Sequence, residues 1–73
     1  MRNGKVNSIP IGSLIKDVDM GDIGIVVGPM KHLWVNGEDV YTQKVIWPRH
    51  SPDASPMSLD AVENGWVEVV LGT

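Results

Sequence analysis

Apolar residues recur along the chain in short runs broken by glycine, proline and acidic turns. No stretch keeps an i, i+3, i+4 spacing beyond two helical turns. The pattern predicts strands. Residues 11–17 read as a first short strand anchored by Leu14 or Ile15, and residues 17–22 as an acidic turn. Residues 23–27, Ile-Gly-Ile-Val-Val, are almost wholly aliphatic and bracketed by glycines, the profile of a central strand in a tightly bent sheet. Asn36-Gly37 between two β-prone segments, 32–35 and 38–41, predicts a projecting hairpin with a two-residue turn. Beyond it Tyr41, Gln43, Val45 and Trp47 alternate with Thr42, Lys44 and Ile46, so the Val45 and Trp47 face is expected to point inward.

Residues 48–56 contain three prolines and few apolar groups, and read as the main loop. Residues 58–62 fit one helical turn with Ser58 as its cap. Asn64-Gly65 then turns the chain into a last strand at 66–71. Its Val67, Val69 and Leu71 are expected on one face and Trp66, Glu68 and Val70 on the other, which leaves the second face half apolar.

A length of 73 residues holds one hydrophobic core, so the expectation is a single domain over 1–73. It divides into a polar leader at 1–10 and a folded body at 11–71. The chain has no cysteine, which excludes disulfide staples and thiolate metal sites and leaves packing or assembly to stabilise the fold. Net charge −3 opposes binding that depends on neutralising phosphates over a broad surface. No apolar run reaches the roughly 18 residues of a membrane span, and residues 1–10 are too polar for a signal-peptide core. A soluble, membrane-free protein is the expectation.

The succession of a strand, Gly21-Asp22-Ile23-Gly24-Ile25-Val26-Val27, an excursion, Lys44-Val45-Ile46-Trp47, a loop, and Trp66-Val67-Glu68-Val69-Val70 resembles the SH3-like barrels. The resemblance covers residues 11–71. It implies an all-β, five-stranded small barrel with one projecting hairpin and a short helical turn before the last strand. Within that group the chain is similar to short stand-alone proteins of tailed bacteriophages, including those of marine cyanobacteria. That likeness implies a structural or assembly role in the virion or an accessory role in the host cytoplasm. Gly21 to Val27 also resembles the glycine-rich turn of KOW elements, which implies nucleic-acid contact; here the turn departs from that pattern by carrying Asp17, Asp19 and Asp22.

Candidate chemistry is sparse. Asp17-x-Asp19-x-Gly21-Asp22 superficially matches a calcium loop, but in an EF-hand frame the required glycine falls on Asp22 and the bidentate glutamate on Gly28. His32 and His50 lie in different segments without a third ligand, so no metal and no cofactor is expected. His50 with Asp53, and Ser51 or Ser55 as nucleophile, is the one hydrolytic arrangement available. It sits in a loop with nothing to hold it, so a non-enzymatic protein is expected.

The aromatics carry more. Trp47 is assigned to the core, whereas Trp34 and Tyr41 on the hairpin, and Trp66 with Val70 on the last strand, are the candidate surface for a protein partner or for self-association. The alternative is a KOW-like nucleic-acid binder using Lys16, Lys31, Lys44 and Arg49, of which no two are adjacent in sequence.

Overall fold

In the computed structural model, which describes residues 8–72, the punctuated runs become six strands and one helical turn. They are β1 (Leu14–Asp17), β2 (Ile23–Val26), β3 (Lys31–Val35), β4 (Glu38–Ile46), β5 (Ser55–Ser58), α1 (Asp60–Glu63) and β6 (Val67–Leu71). Every pairing is antiparallel. The strands form one all-β sheet in the order β3-β4-β2-β1-β6, with β5 also on β4, and the sheet is not closed into a barrel. The long β4 is the hub, since Val45 pairs with Val26 on one edge and Ser55 on the other.

The inward face follows the predicted alternation. Ile15, Val26 and Val45 are fully buried and are joined by Met57, Leu59 and Val67, with Tyr41 and Trp47 half-buried against them. Trp47 also dictates a glycine. A Cβ on Gly24 would stand 2.8 Å from the Trp47 ring and 2.8 Å from Val45, so only glycine lets the indole lie across β2. The hairpin turn is equally specific: Asn36 and Gly37 have φ of 51° and 80°, the conformation that a two-residue turn between twisted strands requires.

Several expectations are corrected. The first strand begins at Leu14, because Ile11 and Gly12 form a turn. The 48–56 loop ends early, since Ser55 and Pro56 open a sixth strand. A proline is tolerated there because β5 pairs with β4 alone and needs no second row of donors. The helical turn runs from Asp60 to Glu63 with Leu59 rather than Ser58 at its N-cap and no side-chain cap; the Ser58 hydroxyl accepts from the Asp60 N–H at 3.3 Å from one position further out. In β6 a register shift opposite Leu14 and Ile15 pairs Leu14 with Leu71 and Ile15 with Val69. Leu71 therefore leaves the Val67 and Val69 face and joins the outer one.

Residues 1–7 of the expected leader lie outside the described residues, but Ile9 in the same segment is a core residue, 7% exposed. Gln43 holds it there. Its Oε1 accepts from the Ile9 N–H at 2.7 Å, and its Nε2 donates to the Ile9 and Gly28 carbonyls at 2.8 and 2.9 Å. The Gln43 amide thus does for Ile9 what a neighbouring strand would do, and satisfies its own polar atoms in the core.

Candidate interaction surface

Trp66 enters from the turn after α1, where Gly65 takes a φ of 81°. The Trp66 N–H donates to the Ala61 carbonyl and its own carbonyl accepts from the Val18 N–H, both at 2.9 Å. Its backbone is clamped from both sides while the residue stays 65% exposed. Trp66 lines a groove with Asp17, Val18, Asp19 and Gly65, and a second hollow with Trp47, His50 and Ala61 among others. Asp17 shapes the groove wall because its carboxylate accepts from the N–H groups of Asp19 and Met20, at 3.0 and 3.1 Å.

In the acidic turn Asp17 therefore commits its carboxylate to the turn's own backbone and Asp22 to one long-range cluster. Asp22, 6% exposed, receives His50 Nε2 at 2.5 Å and the Arg49 guanidinium at 3.4 Å. The 47–51 turn that carries these two residues is closed by the His50 and Ser51 N–H groups, both donating to the Trp47 carbonyl. A buried carboxylate with two cationic or donor neighbours ties this turn to the start of β2. The partnership suggested by sequence, His50 with Asp53, does not form. Asp53 instead donates its N–H to the Ser51 hydroxyl at 3.1 Å. Among the described residues no group of three or more metal-ligating side chains converges. No helix among them is long and apolar enough to cross a membrane.

The hairpin forms a second exposed region, in which every residue of β3 is exposed and Trp34 is 69% so. Tyr41 is not free in the same way. It is half-buried against the core and stacked on His32 at 4.8 Å between ring centres, while His32 Nε2 meets Asp39 Oδ1 at 2.6 Å. Val70 is 53% exposed on β6 and Trp66 precedes that strand, so the two expected neighbours stand four residues apart along the chain.

Of the basic residues, Lys16, Lys31 and Lys44 share the outward parity of the sheet: Lys16 pairs with Ile23, and Lys31 with Thr42 beside Lys44. Arg49 is elsewhere, at Asp22. The sequence brings Trp47 and Trp66 to one hollow and leaves Trp34 on the arm. Asp17 and Asp19, weighed in the sequence only as a calcium loop, and Val18 line the groove instead, which the sequence does not show because it takes the Asp17 to Val67 and Val18 to Trp66 backbone pairings to bring the acidic turn beside a tryptophan. Comparisons of the chain with protein-family models, curated proteins and solved structures return no match.

Proposed function

We propose that the protein is a non-enzymatic interaction or assembly module, an open form of the small SH3-like barrel, that docks a protein partner through Trp66 and the Trp34 arm. The observation that carries this reading is the Trp66 indole, 65% exposed on a backbone held by two hydrogen bonds. Leaving a large aromatic ring in water forgoes about 2 kcal/mol of burial, and a rigid aromatic is the side chain that a partner can cover at least entropic cost. The order β4-β2-β1-β6, with β5 on the far edge of β4 and a helical turn leading into β6, supports the SH3-like assignment. In the phage setting that the resemblance implies, such a module is a virion or assembly component.

Immobilised protein exposed to an extract of its source tests the reading. Wild type is expected to retain a partner, and Trp66→Ala and Trp34→Ala are each expected to lose it at least tenfold while unfolding at the wild-type temperature. Equal retention by folded variants would overturn the proposal.

A further inference from the structure

Three Asn-Gly pairs occur in the chain. Asn3-Gly4 lies outside the described residues, and Asn36-Gly37 and Asn64-Gly65 sit in exposed turns. An asparagine before glycine carries its own reaction partner. The amide nitrogen of the next residue follows closely on the side-chain carbonyl carbon, and glycine has no Cβ to keep the two apart. In a folded protein the attack then requires that this nitrogen be free and that the peptide plane between the two residues can turn.

The two described pairs differ on both counts. At Asn64 the plane is locked. The Gly65 N–H donates to the Val62 carbonyl at 3.2 Å, and the flanking groups are held as well, the Asn64 N–H by Asp60 at 2.8 Å and the Trp66 N–H by Ala61 at 2.9 Å. Turning the peptide for attack breaks the Gly65 bond and pulls on the backbone of Trp66, whose carbonyl is tied to Val18. At Asn36 no such lock exists. Among the described residues the Gly37 N–H makes no backbone hydrogen bond and the Asn36 side chain has no hydrogen-bond partner. The nearest ladder contact is the terminal rung of the arm, Val35 with Glu38, and both residues are exposed. A hairpin tip standing in water opens easily by itself, whereas a turn tied to the body opens with the body.

We infer that Asn36-Gly37 is a site of spontaneous modification in the folded protein, converting to aspartate and isoaspartate through a cyclic imide, and that Asn64-Gly65 is shielded from the same reaction. Hydroxide takes the Gly37 amide proton, and the nitrogen attacks the Asn36 side-chain carbonyl carbon. A new C–N bond forms, the carboxamide C–N bond breaks, and its nitrogen leaves as ammonia with a proton from water. A water molecule then opens the imide. Cleavage at the side-chain carbonyl gives aspartate, and cleavage at the backbone carbonyl gives isoaspartate, in which the chain runs through the former side chain. Water is the only co-reactant.

The consequence falls on the arm. Either product puts a carboxylate beside Glu38 and Asp39, adding one negative charge to a formal net charge of −3. Isoaspartate also adds a backbone carbon to a two-residue turn whose φ angles of 51° and 80° match the twist of its strands. The Val35 and Glu38 rung is then expected to open and the next, Trp34 with Asp39, to loosen. Age therefore alters the Trp34 arm and leaves the clamped Trp66 as it was made. The modification proceeds whether or not Trp34 meets a partner.

The test ages the full chain at mildly alkaline pH, folded and in urea, and follows each Asn-Gly pair by peptide mass spectrometry, with an isoaspartyl methyltransferase to count isoaspartate. In the folded protein Asn36 is expected to convert at least about tenfold faster than Asn64, the gap that the extra backbone hydrogen bonds around Gly65 set. In urea the two are expected to convert within about threefold of each other, since each then has only its glycine neighbour. Backbone amide NMR signals of residues 34–39 are expected to shift in aged wild type and to stay in place in aged Asn36→Gly, which keeps the positive φ and lacks the carboxamide. Persistence of Asn36 in the folded protein while it converts in urea would overturn the inference. So would an Asn64 that converts as fast as Asn36 in the folded protein, a tenfold gap that survives in urea, or the same NMR shifts in aged Asn36→Gly.

Discussion

His50 meets Asp22 at 2.5 Å across 28 residues of chain, and His32 meets Asp39 at 2.6 Å across seven. The distances are alike and the surroundings are not. The Asp22 side chain is 8% exposed and is shared with Arg49, whereas Asp39 is 55% exposed beside a histidine that is 52% exposed. The first pair fastens the 47–51 turn to the sheet next to the Trp66 hollow, and the second decorates a hairpin that has already formed through its own turn. Equal geometry therefore stands for unequal consequence: a contact that closes a long loop and keeps a carboxylate out of water matters to the whole domain, and a wet cross-strand pair does not.

Substitutions in the body and in the arm should reproduce that difference in urea unfolding. A domain of this length is expected to be stable by about 4–10 kcal/mol, so single changes in the body are severe. Gly24→Val should cost the most, about 3 kcal/mol or more, because its side chain must displace the Trp47 ring and Val45, which a Cβ alone would approach to 2.8 Å. Gln43→Ala follows at about 2–3 kcal/mol, since it strands the Ile9 N–H and two carbonyls that the amide now satisfies. Asp22→Ala should cost about 1–2 kcal/mol, and should raise the proteolytic sensitivity of the 48–54 segment with it. On the arm, His32→Ala should change stability by less than about 0.5 kcal/mol beyond the loss of its stacking on Tyr41. An arm substitution as damaging as Asp22→Ala would erase the distinction between the two regions.

The same contrast explains what could be read from the sequence. Asn36-Gly37 announces its hairpin because a local turn rule fixes both φ angles, and Ile23 to Val26 announces a core strand by composition alone. The inward pointing of Val45 needs only the alternation of β4. What escaped depends on residues far apart. Ile9 looked like part of a polar leader because its partner, Gln43, is 34 residues away and looks like any surface amide. Pro56 hid β5, since a proline is allowed in a strand only when one edge is unpaired, and that is a property of the sheet. Alternation alone puts Leu71 on the Val69 face, and one irregularity in pairing with β1 moves it to the other.

The candidate surface divides in the same way. The tryptophans were visible as a type of residue, whereas the groove beside Trp66 required the contact between the 17–22 turn and the residue before β6. Tyr41, grouped with Trp34 by sequence proximity, is drawn off by its packing against the core and by His32.

The reading of Trp66 and Trp34 as a presented surface is tested most directly by fluorine NMR of protein labelled with 5-fluorotryptophan, in the presence of a soluble paramagnetic probe. With one resonance per indole assigned by substitution, Trp34 and Trp66 are expected to relax strongly and Trp47, half-buried across Gly24, distinctly less. Three resonances protected to the same degree would contradict the surface on which the proposed interaction rests.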